Sequence, residues 1–201
     1  MTLPERPTEV TSSRNHLPDR NQAWNLLCEW TQSDSLRKHA LAVEAAMRYL
    51  AERRGGDPEL WGLAGLLHDL DYERYPTPND HPYRGAEELR RLGYPEELVH
   101  AVLAHAEHTG TARETDLDRA LFAVDELTGL ITAVALVRPD RSLQNLEPAS
   151  VLKKMKDKRF AAGVDRETIK KGAAELGIEL PEFISQVIAG MRAVATELGL
   201  A

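Results

Sequence analysis

Between Pro58 and Leu70 the chain is apolar almost all round. Leu60, Trp61, Leu63, Ala64, Leu66, Leu67 and Leu70 leave it no continuous polar face. A helix of that kind has no side to offer water and must be enclosed by other elements. Asp57-Pro58 opens it, with the aspartate as cap and the proline in the first turn, so a helix is predicted from Glu59 to about Leu70.

The flanking segments read as its enclosure. A short helical pattern runs through Trp24, Leu26, Leu27 and Trp30. A stronger one starts after Ser33 or Asp34, carries Leu36, Ala40, Val43, Met47 and Leu50 on one stripe, and stops at Gly55-Gly56. Two Xaa-Pro steps and Asn-Asp make Tyr75 to Pro82 a loop. Helices are expected over Tyr83–Leu92 and Pro95–Glu107, parted by Gly93-Tyr94-Pro95, and from Asp116 to Val137 ahead of Pro139. A basic segment follows residue 141, then helices near Arg166–Leu176 and Pro181–Leu198. No segment reads as a strand, and there is no internal repeat. The expected fold is all-α. It comprises a poorly ordered polar lead-in (1–20), a helical core (21–140) and a C-terminal helical extension with the basic segment (141–201).

Composition narrows the function. A chain of 201 residues can bury one real core. Its net charge of −7 argues against general nucleic-acid binding, though not against a small phosphorylated substrate, which responds to local charge. A single cysteine, Cys28, permits no intramolecular disulfide and fits a reducing compartment. No apolar run has the length of a membrane span, and residues 1–20 hold no signal-peptide core. A cytoplasmic protein with no membrane partner is expected, with oligomeric state left open.

Histidines and aspartates stand where the helical pattern points inward. His39 follows Leu36 by three and precedes Val43 by four; His105 follows Val102 by three. His68 and Asp69 close the apolar helix, and Asp125 lies four residues after Leu121. A single inward histidine is usually a satisfied core group. Inward groups on four separate helices are better explained together, by a divalent cation that neutralises the carboxylates and uses the imidazole lone pairs. Imidazole and carboxylate donors suit Mn, Fe, Co, Ni or Zn.

The order His39, then Leu66-Leu-His-Asp-Leu70, then Ala123-Val-Asp-Glu126 resembles the HD superfamily of metal-dependent phosphohydrolases, over roughly residues 25–140. His81-Pro-Tyr-Arg-Gly-Ala-Glu-Glu-Leu89 and Ala101-Val-Leu-Ala-His105 are similar to the additional histidine motifs of its binuclear members. The resemblance implies one metal on His39, His68, Asp69 and Asp125, and a second on Asp69, His81 and His105, hence one or two ions per chain. Where many members of that superfamily continue with a Gly-Lys type sequence, this chain reads Leu70-Asp-Tyr-Glu-Arg74. A lysine for phosphate is missing there, so their substrate does not carry over.

The reaction so implied is hydrolysis of a phosphoester of a small metabolite, a nucleotide by expectation. A water activated by the metals attacks phosphorus in line. Asp69 is the expected catalytic bridge. Asp71 is either a general acid or base or a holder of a ligand histidine; Glu73 and Glu107 are weaker candidates. For the substrate phosphate, Arg84 stands three residues after His81, and the basic run offers Lys153, Lys154, Lys158 and Arg159, which otherwise form a solvated face. His108 is placed near substrate or behind the ligands, and His16 and His100 at the surface. Two other readings stay open: a di-iron oxygenase of the same superfamily, and a metal-binding regulatory module without turnover.

Overall fold

Helix-starting residues do what their chemistry dictates. The computed structural model describes residues 17–201; His16 and most of the lead-in lie outside the described residues. Helix α1 (Arg20–Trp30) is followed by α2 (Asp34–Arg54), where the Ser33 hydroxyl accepts from the Leu36 amide and Gly55 ends the helix in the left-handed region. Asp57 caps α3 (Pro58–Leu67), accepting from the Glu59 amide at 2.9 Å. Every residue of α3 from Leu60 to Leu67 is buried.

Helices α4 (Tyr83–Arg91) and α5 (Glu96–Ala104), a 3-10 turn (Glu107–Thr109) and the long α6 (Asp116–Leu136) complete the part that encloses α3. Helices α7 (Pro148–Met155), α8 (Arg166–Glu175), α9 (Leu180–Arg192) and α10 (Ala195–Leu198) follow. The fold is all-α, with no strand among the described residues. None of these helices is long and apolar enough to cross a membrane.

One continuous core runs from Ala23 to Leu200. Helix α2 packs on α3 along one flank and on α9 along another, while α6 packs on α2 and α8. The α6–α8 approach is close because Gly172 faces Ala123. A Cβ at residue 172 would lie 2.5 Å from the Ala123 Cα, inside any permissible contact.

Three helices end or break where periodicity alone would continue them. Helix α3 stops at Leu67, short of Leu70, and the chain turns through 68–74 with the Asp71 carbonyl accepting from the amides of Arg74 and Tyr75. Helix α5 stops at Ala104, since the Thr109 hydroxyl bonds to the carbonyls of Leu103 and Ala106 and draws the chain into the 3-10 turn. The last expected helix is split at Ala193-Val194, just after Arg192 reaches out to the carbonyls of Leu143 and Leu146. Helix α7 is an addition: the basic segment is helical as far as Met155. His100, expected at the surface, is half-buried with Nδ1 3.1 Å from the buried Asp118 carboxylate, whose other oxygen accepts from the amides of Glu114 and Thr115.

Candidate metal centre

Four imidazoles and two carboxylates converge where the end of α3 meets α2, α5 and α6. His39 comes from the first half of α2, His68 and Asp69 from the end of α3, His81 from the turn before α4, His105 from the end of α5, and Asp125 from the middle of α6.

Each imidazole is held from behind through Nδ1. His68 donates to the Gly65 carbonyl at 2.8 Å, and His105 to the Val102 carbonyl, each one turn back along its own helix. His81 donates to Asp71 at 2.8 Å, and His39 faces the Thr128 hydroxyl at 3.5 Å. With the proton on Nδ1, every Nε2 presents its lone pair to the centre, the form a metal requires.

Those nitrogens face carboxylate oxygens. The Asp125 Oδ1 is 3.0 Å from His39 Nε2 and 3.5 Å from His68 Nε2. The Asp69 Oδ2 is 3.4 Å from His68 Nε2 and 3.9 Å from His39 Nε2. The other oxygen of the same carboxylate, Oδ1, lies 3.5 Å from His81 Nε2 and 3.6 Å from His105 Nε2. Asp69 therefore stands between two nests of nitrogen donors, one oxygen toward each.

The spacing suits shared cations. Two donors each about 2.1 Å from one ion sit about 3.0–3.4 Å apart, according to coordination angle. The buried Nε2 of His68 has no hydrogen-bond partner, and such an orphaned atom costs about 1–3 kcal/mol unless something satisfies it. The residues present fit a divalent ion on chemical as well as geometric grounds.

Charge follows the same logic. Burial disfavours the cationic form of His68, but the carboxylates of Asp69 and Asp125 outweigh it and raise its pKa well above the usual histidine value. Burial likewise opposes ionisation of Asp69, yet His68 and His105 hold it well below the usual carboxylate range. Asp125 is held far below that range against burial by His39 and His68. Both carboxylates are ionised anchors for a cation. Beside Asp125, burial and that neighbouring negative charge push Glu126 up to about 7. A cation on Asp125 would oppose the second of these causes.

The centre opens into a cavity of about 470 Å3, walled by Leu36, Tyr72, His108, Phe122, Glu126 and Thr168. Residues 36–130 match the family described as HD domain. The chain is an HD-domain protein. That places it in a superfamily of metal-dependent phosphohydrolases. Similar curated proteins are Ribonuclease Y of Lawsonia intracellularis, 31% identical over 160 residues (78% of this chain, 28% of that protein), and Ribonuclease Y of Desulfotalea psychrophila, 28% identical over 149 residues (70% and 26%). The chain thus spans little more than a quarter of the length of these relatives. No solved structure matches.

The HD domain brings together His39, His68, Asp69, His81, His105 and Asp125. Asp71 stands behind them. It is fully buried, one oxygen taken by His81 and the other by the Gly85 amide at 2.6 Å. Gly85 is open for this approach, since a Cβ there would crowd the Asp71 carboxylate at 3.3 Å.

Glu73 accepts from the amides of Gln32 and Ser33 at the start of α2, away from the cavity wall. Glu107 is on the wall and paired with Lys171 and Arg113. His108 is also there, its Nε2 donating to the His81 carbonyl at 2.8 Å. Arg84 is exposed and paired with Asp80 and Glu87, and neither it nor Lys153, Lys154, Lys158 and Arg159 lines the cavity.

Sequence reasoning did not single out Thr128, Gly85, Phe122, Glu126 or the start of α8 as parts of the site. For Thr128 a signal existed: it lies three residues after Asp125, on the same helical face. For the start of α8, more than forty residues beyond the last ligand, there was none.

Proposed function

We propose that this HD domain holds two divalent ions on one bridging carboxylate and hydrolyses a phosphoester of a nucleotide. The observation that carries the reading is the split of Asp69, with one oxygen toward His39 and His68 and the other toward His81 and His105. His39, His68, Asp69 and Asp125 would hold the first ion, and Asp69, His81 and His105 the second.

When bound, such a pair supplies an activated water at neutral pH and charge stabilisation on the phosphoryl oxygens. The rest of the work belongs to the chain. The Nδ1 anchors fix four imidazoles in one tautomer, so the donors do not reorganise when substrate arrives. Tyr72, exposed at the mouth, and Phe122 on the wall present aromatic surfaces suited to a nucleobase. The name Ribonuclease Y borne by the relatives adds a phosphodiester to the bonds worth testing. Imidazole and carboxylate donors suit Mn, Fe, Co, Ni or Zn.

The test pairs metal content per chain, on protein purified without chelators, with turnover of nucleoside monophosphates, cyclic nucleotides and a small phosphodiester. About two ions per chain together with phosphoester cleavage is the expected result. One ion per chain would remove His81 and His105 from the ligand set. Iron content with oxygen-dependent turnover, or no turnover with any of the five metals, would overturn the hydrolase reading.

A further inference from the structure

The cavity at the metal centre is not closed at its α8 side. Glu107, Asp165 and Thr168 wall it there, and the same three residues wall a neighbouring depression that continues along α8 to Glu167, Lys170 and Lys171. Glu167 and Lys170 in turn wall a third depression, reaching Leu152, Met155, Lys156 and Lys158. The three adjoin through these shared walls, so that a groove of successive depressions leads from the metal centre, past the N-terminal half of α8, to the end of α7.

Charge changes sign along that groove. At the metal end the wall carries Asp69, Asp125, Glu126 and Asp165, and no lysine or arginine. Toward the far end the chain concentrates cations: residues 153–171 hold eight lysines and arginines against three carboxylates, in a protein of net charge −7. Lysines at the end of α7 complement its dipole, which accounts for Lys153, Lys154 and the C-cap residue Lys156 and not for Lys158 or Lys170.

Most of these cations are also uncommitted, although Lys170 pairs with the exposed Glu167 at 2.7 Å and Lys171 with Glu107. Lys153, Lys154, Lys156, Lys158 and Arg159 have no carboxylate partner within 4.0 Å among the described residues. Elsewhere on the surface the pattern is the reverse: Arg84, Arg90, Arg91 and Arg138 are each paired. At its far end the groove has apolar floor as well, from Leu152, Met155 and Leu180.

We propose that this groove carries a single-stranded polynucleotide. Its phosphates would lie on Lys156, Lys158 and Lys170, and the strand would lead one phosphodiester into the metal centre. The inference rests on the phosphoester reading above and names its substrate class. A mononucleotide would fill the metal-end cavity and leave the lysines unused. A chain of phosphodiesters, with one negative charge each, needs cations at a distance from the cleaved bond, which is where they stand. An overall acidic protein can bind such a strand because contact is set by the local field.

The test is strand binding, read without turnover. Full-length protein is titrated against a labelled single-stranded RNA of about 12 nucleotides, within the span of known single-strand sites, and against DNA of the same sequence. Fluorescence anisotropy is followed over a salt series with metal chelated. The wild type is expected to bind. Replacing Lys156, Lys158 and Lys170 together by Glu should weaken binding at least about tenfold. Replacing them by Ala should flatten the slope of log affinity against log salt by about 2, from three lost phosphate contacts at about 0.7 each.

The Lys→Arg triple variant should restore affinity, and Arg90→Ala with Arg91→Ala serves as the control for general charge. RNA alone binding, or both strands binding, distinguishes the sugar that the groove accepts and supports the groove either way. No strand binding by the wild type, or equal binding by the Glu variant, would overturn the proposal. Small-diester turnover without strand binding would sink the groove alone. Strand binding lost in the Glu variant, with no phosphoester cleaved under any metal, would sink the hydrolase reading and leave the groove.

Discussion

The two ends of the groove are built on opposite plans. At the metal centre every imidazole is backed: Gly65 and Val102 carbonyls, Asp71 and Thr128 hold the four rings from outside. At the α7–α8 end Lys156 and Lys158 face no carboxylate within 4.0 Å among the described residues, and only Lys170 and Lys171, on α8, are paired, with Glu167 and Glu107. The contrast is one of function and cost. A ligand loses affinity if it must be reorganised around an ion, whereas a phosphate contact in water tolerates a mobile partner and is weakened by any carboxylate that competes for it.

The comparison breaks most sharply at Asp69, whose two oxygens face the two sets of histidine nitrogens and which the proposal makes the bridge between two ions. Asp69→Ala is expected to remove both ions and lower phosphoester cleavage at least about 1000-fold, the equivalent of about 4 kcal/mol in the barrier. Helix content by circular dichroism should stay near that of the wild type, since Asp69 lies in a turn outside α3. Full metal content and full activity in that variant would remove the bridging role.

How much of this could be read from the sequence follows the same division. The apolar run of α3 and the stripe of α2 announce a buried pair, because burial on all sides leaves no other arrangement of Leu60 to Leu67. The inward histidines announce themselves for the same reason: a polar group at a core position is conspicuous. Helix ends were less legible, as at Ala104, because they depend on side chains such as Thr109 bonding to backbone carbonyls. Asp71 could be placed near the centre by its number. That both its oxygens are occupied, by His81 and the Gly85 amide, depends on a contact across fourteen residues. The far wall, with Thr168 and Asp165, is set by the packing of α8 on α6 through Gly172, which no local pattern encodes.

A finer break separates holding from catalysis at Asp71. If its work is to fix His81, Asp71→Ala should reduce affinity for the second metal about 10- to 100-fold, and saturating metal should return most of the lost rate. The measurement is activity as a function of metal concentration. A rate that stays low at full occupancy, with metal affinity unchanged, would make Asp71 a participant in proton transfer instead of a support.

The smallest expected effect is the one that sharpens the far end. Lys153 and Lys154 lie in the last turn of α7, outside the cavity wall, and Lys154 has its ammonium 4.6 Å from the Phe160 ring. Replacing both by Ala removes two charges that face no carboxylate. The Michaelis constant for a polynucleotide should rise by about 3- to 10-fold at moderate salt, and the difference should shrink as salt screens the remaining charges. Metal content should not change, because neither lysine lines the cavity at the metal centre. A Michaelis constant that does not move at low salt would return these two lysines to the role of complementing the α7 dipole, and would confine strand contact to Lys156, Lys158 and Lys170.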